Sequence, residues 1–380
     1  MNKIRYFLLK QKNKENAEKA WNLGLLENPA MPIRVTLNTT HKCNLQCIMC
    51  QFHRHPSISK RIIKKKDELS QDLFESFANQ VFPTLIEAET TTVGEPFLSS
   101  YFYTIISKAE EYDVKLYVTT NGLNLTDDKI LDLLPVMSTL VISIDAVERN
   151  LYESIRRGAS FERLKANIDR FLELRKSLEK DSQPQLTLQM TLLRSNIKEL
   201  PKMVDFASEI GAEHVKAYHA YIYDQEMRRE SLFFHQTLSN QCIEETYRIA
   251  SKKGVKVDLP RKFPLRKEKL FSPKKQDFIK PPCLFLWTES FLEPTGEISA
   301  CFFPIKYVLG SIATQSFQDI WNCKKMQELR EDIQQEPPIG FCKNCELRYT
   351  YLPLYSGSGM DPAQFFLIDD PSLSLYRKGS

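Results

Sequence analysis

No run of apolar residues in this chain reaches the length of a membrane span. The longest, Leu133 to Ile144, is interrupted by Pro135 and falls short of the ~20 residues a spanning helix needs. A secretory signal is also missing: Lys3 and Arg5 precede only Tyr6-Phe7-Leu8-Leu9 before charge returns, too short for an apolar signal core. Neither sign of charge dominates. Lys+Arg 52 against Asp+Glu 48 leaves +4 over 380 residues, so charge gives no ground for expecting a nucleic-acid partner. The densest basic run, Lys60 to Lys66, reads as a solvated loop. The nine cysteines are an odd number, and two groups of them fall at metal-binding spacings. Reduced thiolates in a cytoplasmic protein are therefore expected, rather than disulfides.

What remains is an ordinary globular composition, 42% apolar and 26% charged, in a chain long enough for two units. The organising stretch is His41-Lys42-Cys43-Asn44-Leu45-Gln46-Cys47-Ile48-Met49-Cys50. Three cysteines spaced C-x3-C-x2-C follow a short β-like run, and a loop leaving a strand can curl all three thiolates around one metal centre. Three thiolates suit a four-iron cluster with one iron open to a non-protein ligand. A zinc knuckle completed by His41, His53 or His55 is the structural alternative, since short motifs match by chance.

Strand-like runs alternate with amphipathic helical ones. The strands are Ile33–Asn38, Leu85–Thr90, Val114–Thr119, Leu140–Ile144, Leu186–Thr191 and His214–His219. Helical patterns lie near Ser70–Gln80, Tyr101–Glu111, Asp127–Leu134, Phe161–Leu178 and Ile197–Ile210, after a mostly helical preamble. The alternation predicts an α/β fold with a parallel sheet. Six repeats rather than eight predict a partial (β/α)6, TIM-like barrel with its site at the carboxyl ends of the strands. The predicted division is an N-terminal helical extension over 1–29, the barrel over 30–260, a small hairpin-plus-helix domain over 261–350, and a tail over 351–380.

Segments leaving later strands should converge on the cysteine loop. They are Thr92-Val93-Gly94-Glu95-Pro96, Thr119-Thr120-Asn121-Gly122, Ser143-Ile144-Asp145, and Tyr152 through Gly158. Each alone reads as a turn or strand end. Their order and placement together resemble the S-adenosylmethionine (SAM)-binding segments of the radical SAM superfamily, over roughly residues 30 to 220. That resemblance implies Cys43, Cys47 and Cys50 as ligands of a [4Fe–4S] cluster whose open iron takes SAM. It assigns Gly94 and Glu95 to the "GGEP" segment holding the methionine amino group, with Val93 in place of the first Gly. It places Asn121 and Ser143 at the ribose, Arg156 at the SAM carboxylate, and Met49, where an aromatic residue is usual, against adenine.

The pattern changes after about residue 260. Pro260, Pro264, Pro273, Pro281 and Pro282 mark a linker. Cys283 precedes a predicted β-hairpin of Trp287 to Leu292 and Ile298 to Phe303, turning at Gly296, with Cys301 inside it. A helical stretch from Phe317 to Ile333 leads to Cys342-Lys343-Asn344-Cys345. By spacing, zinc ribbon and iron–sulfur site both fit. Behind a radical SAM core the arrangement resembles a twitch domain, the shortened relative of SPASM domains. The resemblance then implies one auxiliary [4Fe–4S] cluster on Cys283, Cys301, Cys342 and Cys345, leaving Cys323 unassigned. Cys242 reads as a core thiol, and Tyr218-His219-Ala220-Tyr221-Ile222-Tyr223 as rim aromatics or packing beneath the second domain.

The activity implied is reductive cleavage of SAM to a 5′-deoxyadenosyl radical that abstracts hydrogen, fed by a flavodoxin or ferredoxin-type electron donor. A fully ligated second cluster favours net oxidation, so the expectation is a radical SAM oxidoreductase dehydrogenating a small-molecule alcohol, sugar or aminocyclitol. The alternatives are modification of a ribosomally made peptide and, from another class, a zinc-stabilised binding protein. No catalytic acid or base is assigned.

Overall fold

The alternation of apolar strands with amphipathic helices folds as one curled sheet flanked by helices. The computed structural model describes residues 2–54, 68–90, 93–222, 225–263, 283–301, 307–335 and 338–344. His55, the basic run 60–66, Thr92, Tyr223, the linker from Pro264 to Pro282, Phe303, Cys345 and the tail from residue 351 lie outside the described residues.

The chain opens with α1 (Asn2–Asn22). The barrel units follow as β1 (Arg34–Leu37), α2 (Gln71–Val81), β2 (Glu87–Glu89), α3 (Phe102–Glu111), β3 (Lys115–Thr120), α4 (Asp127–Leu133) and β4 (Met137–Ser143). Then come α5 (Arg149–Ile155), α6 (Phe161–Leu174), β5 (Gln185–Leu192), α7 (Leu200–Ile210), β6 (His214–His219), α8 (Gln236–Lys253) and β7 (Lys256–Asp258). The last group is α9 (Phe285–Thr288), β8 (Glu289–Leu292), β9 (Glu297–Ser299), β10 (Val308–Ser311), α10 (Phe317–Trp321) and α11 (Lys324–Asp332). Among the described residues no helix is long and apolar enough to cross a membrane.

Strands β1 to β6 lie side by side in chain order, every neighbour parallel. That is the expected β/α progression, because each helix returns the chain to the same end of the sheet. Side chains alternate between faces, and the two faces differ in chemistry. Leu186, Leu188, Met190 and Leu192 of β5 face the helices and are buried. So are Phe74, Phe77, Ala78 and Val81, which recur on one stripe of α2.

The other face is polar. Arg34 ion-pairs with Glu87 at 3.3 Å and Glu89 at 3.1 Å and lies 5.2 Å over the Tyr117 ring. Lys216 donates to the Tyr117 hydroxyl at 3.5 Å. Tyr117 is on β3 and Lys216 on β6, with two strands between them, so their contact requires the sheet to curl. A concave, incomplete barrel is the result.

Both ends of the barrel sheet are extended. Three-residue β7 pairs in parallel with β6; its Lys-Val-Asp sequence is too short and charged to signal a strand. At the other end β8 pairs in parallel with β1, placing Arg34 opposite Glu289. The C-terminal hairpin, set apart as its own unit in the sequence, thus continues the barrel's sheet. It turns at Gly296, whose φ is +82°, and gains a third strand, β10, antiparallel to β9. Trp287 falls in α9 rather than in the strand. The helix expected from Phe317 to Ile333 breaks at Asn322-Cys323. There the Asn322 amide oxygen accepts from the Asn28 backbone at 2.9 Å and from Arg330 at 2.8 Å, bonds a continuous helix would not offer in that geometry.

Candidate SAM and iron–sulfur cluster site

The cysteine loop leaves the carboxyl end of β1 and is held there by three other loops. From after β2, the Glu95 amide donates to the Lys42 carbonyl at 2.8 Å. Gly94 sits at φ +81°, and a Cβ on it would collide with the Thr40 carbonyl. Only glycine permits that approach. From after β3, the Asn121 side-chain amide donates to Asn44 Oδ1 at 2.8 Å. From after β4, the carbonyls of Ile155 and Arg157 accept from the amides of Ile48 and Gln46, each at 2.9 Å. The structure thus brings together Cys43, Cys47, Cys50, Gly94, Glu95, Asn121 and Arg156. Ser143, the last residue of β4, stays half-buried at the same rim, and Met49 packs against the small apolar cluster that contains Ile155 and Leu193.

Glu95 is turned inward. Its carboxylate accepts from Thr120 Oγ1 at 2.6 Å and the Asn121 amide at 2.8 Å. Burial pushes its pKa up to about 7 against those hydrogen bonds. In this arrangement the side chain ties the β2 loop to the β3 loop, and it is the Gly94-Glu95 backbone that faces the cysteine loop.

Arg156 is buried, its Nε 2.7 Å from Asp145 Oδ2 and its Nη1 3.9 Å from Cys47 Sγ. Asp145 in turn accepts from the Thr191 amide at 2.7 Å. The pairing of Asp145 with Arg156 was not readable in the sequence, although both lie in segments singled out there. A carboxylate closing a strand and an arginine closing the next helix carry no spacing rule that marks them as partners.

Cys43, Cys47 and Cys50 form no disulfide. Burial pushes the Cys43 thiol up to about 12 and the Cys47 thiol up to about 11, and raises Cys50 as well. Neutral buried thiols gathered beside a single arginine suit a metal centre that replaces their protons. Three thiols on one loop, with an arginine beside them, are a donor set that fits a four-iron cluster with one iron left open.

The C-terminal cysteines are placed differently. Cys283 stands just ahead of α9 and Cys301 just after β9, both half-buried, while Cys342 is buried in a short 3₁₀ turn, Gly340–Asn344. Cys323 caps α11. Cys242 is buried on α8, as a core thiol should be.

Comparison with known proteins agrees with this arrangement. Residues 37–207 match the radical SAM superfamily, and residues 283–346 match an iron–sulfur cluster-binding domain of the SPASM type. These domains carry SAM, its [4Fe–4S] cluster and auxiliary iron–sulfur binding. Three relatives each align with more than four fifths of this chain. They are the tungsten-containing aldehyde ferredoxin oxidoreductase cofactor-modifying protein of Pyrococcus furiosus (22% identical, 82% of this chain, 86% of that one), the subtilosin biosynthesis protein AlbA of Bacillus subtilis (24%, 84% and 68%) and the PqqA peptide cyclase of Gluconobacter oxydans (22%, 84% and 84%). In fold the chain is similar to SAM-bound SuiB of Streptococcus suis, at TM-score 0.61 and 13% identity over 85% of this chain and 72% of that one.

The expectation of small-alcohol dehydrogenation is corrected by these relatives, two of which are named for peptide cyclisation and bacteriocin biosynthesis. The physical argument behind it, that a closed second cluster favours simple oxidation, does not discriminate, because forming a crosslink also removes electrons from the substrate. The chain carries a radical SAM domain over residues 37–207 and a C-terminal SPASM-type iron–sulfur cluster-binding domain over residues 283–346.

Proposed function

We propose that this enzyme modifies a ribosomally made precursor peptide, and the observation that carries the reading is the alignment of most of the chain with peptide-modifying relatives. Cys43, Cys47 and Cys50 hold the SAM cluster, and Cys283, Cys301, Cys342 and Cys345 hold one auxiliary cluster. When bound, cluster and SAM supply hydrogen-atom abstraction from an unactivated carbon. The chain's own residues bind and aim. The Gly94-Glu95 backbone and Asn121 line the SAM pocket, with Ser143 at the ribose and Met49 against adenine. The guanidinium of Arg156, held at Nε by Asp145, takes the SAM carboxylate.

The concave face offers a polar wall for a substrate segment, with Glu89, Tyr117 and Lys216 projecting from it. A flavodoxin or ferredoxin-type protein supplies electrons. The test is anaerobic incubation of the reconstituted, reduced enzyme with SAM and short peptides encoded beside its gene. Tandem mass spectrometry should find a peptide lacking two hydrogens or epimerised at one residue, together with 5′-deoxyadenosine. SAM cleavage that leaves every such peptide unchanged would sink the reading.

A further inference from the structure

The arginine beside the first cysteine loop is placed to act on the cluster as well as on SAM. Arg156 ends α5, and its backbone amide donates to the Tyr152 carbonyl at 2.8 Å. Asp145, fully buried two residues beyond β4, fixes it by the 2.7 Å contact to Nε. Asp145 is itself over-determined: the Thr191 amide holds Oδ1 at 2.7 Å, and the Asn196 side chain donates to its carbonyl at 2.9 Å. The far end of the guanidinium then reaches Cys47 Sγ at 3.9 Å. The backbone beside Cys47 is pinned to the same segment through the Ile48 amide and the Ile155 carbonyl, 2.9 Å apart. Sulfur and guanidinium therefore cannot drift apart independently.

We propose that Asp145 positions Arg156 to donate a charge-assisted hydrogen bond to the Cys47 sulfur, and that this bond raises the reduction potential of the SAM cluster. The inference rests on Cys47 being a cluster ligand. Reduction adds one negative charge to a cluster in a buried, low-dielectric site. A cation near a ligand sulfur stabilises the reduced state more than the oxidised one, and hydrogen bonds to sulfur are an established lever on such potentials. An unpaired buried arginine would be costly, so the carboxylate is needed to hold it. The pair acts as a fixed dipole with its positive end toward the sulfur. Arg156 is thus a positioning and tuning residue whose effect can be read without turnover.

The experiment is an EPR-monitored redox titration of the reconstituted full chain, following the reduced-cluster signal that SAM perturbs. Arg156→Gln, which removes the charge, should shift the reduction equilibrium at least tenfold toward the oxidised cluster, or 59 mV for one electron. Arg156→Lys should recover part of that shift. Asp145→Asn, which removes the charge that holds the guanidinium on Cys47, should lower the potential as well, by less than Arg156→Gln. A clamp without electrostatic influence would give no shift in either variant, and that result overturns the proposal. If Arg156→Gln fails to hold iron, Asp145→Asn decides alone: an unchanged or higher potential overturns it. Cys47→Ala separates the premise from the inference. Full retention of the SAM-responsive signal in that variant would remove Cys47 from the ligand set, and the proposal with it.

Discussion

The two cysteine groups of this chain are built in opposite ways. The first occupies eight consecutive residues, and loops after β2, β3 and β4 hold it by backbone and side-chain hydrogen bonds. Its thiol positions are set by the barrel. The second draws on separate elements: the approach to α9, the end of β9 and the turn after α11. Its positions depend on how the C-terminal segments dock on the rest. That docking runs through buried Arg330, which donates to the carbonyls of Leu26, Leu286 and Trp321 and to Asn322 at 2.7–3.2 Å. Trp287 and Trp321 add indole bonds to the carbonyls of Leu25 and Ala30, each at 2.8 Å. One site is preorganised by its scaffold, the other by a strap of residues 25–30 far away in sequence.

The sharpest way to break that comparison is Arg330→Ala. It strands several buried acceptors and should cost roughly 3–5 kcal/mol. Of the about eight irons expected per reconstituted chain, about half should be lost, and the remainder should be the SAM-responsive cluster. Loss of both clusters would mean that the first loop is not independent.

Gly94→Ala tests the other site. The left-handed backbone and the collision with Thr40 should cost about 2–4 kcal/mol, displacing the cysteine loop. Iron assays should show the first cluster depleted and the second intact.

Glu289 probes the seam between the two regions. It opens β8 opposite Arg34, and burial pushes its carboxyl up to about 8. Because the folded state holds this proton more tightly than the unfolded chain, the contribution to stability is complete below about pH 4.5 and is lost as pH rises to about 8. Glu289→Gln should therefore unfold with a flatter pH dependence, by up to about 2 kcal/mol near pH 8, in denaturant titrations at several pH values. Parallel curves for variant and parent would place the group outside this linkage.

The smallest expected effect is that of Asn121→Ala. Losing its bond to Asn44 should cost about 1 kcal/mol, and SAM affinity measured by calorimetry should fall about fivefold while both clusters remain. A drop in iron content would show that this contact supports the loop itself.

The barrel was legible because its signals are local. Apolar runs such as Leu186–Thr191 and stripes such as Phe74, Phe77 and Val81 state their own periodicity, and three cysteines in eight residues state their chemistry. What escaped depends on distance. Nothing near Arg34 says that Glu289 will lie opposite it, and nothing near Asn322 says that Asn28 will interrupt a helix there. The Gly94-Glu95 segment lies after β2 against the Thr40–Lys42 backbone. The direction of the Glu95 side chain, inward to Thr120 and Asn121, is a property of packing that no motif records. Substrate choice escaped for a different reason. The concave face is assembled from alternate residues of several strands, so its chemistry appears only after the sheet has curled.

The parallel pairing of β8 with β1 has a consequence for how the protein comes to exist. The strand that launches the cysteine loop ends at Leu37, yet its outer neighbour begins at Glu289. At ~5–20 residues per second, a ribosome needs on the order of ten seconds or more to make the intervening chain. Throughout that interval β1 presents an unpaired edge beside three unligated thiols. Pairing across so long a loop is also slow to find. The nascent barrel is therefore most exposed to strand-edge aggregation and thiol oxidation before its C-terminal hairpin emerges, and chains truncated ahead of Glu289 should accumulate in the insoluble fraction.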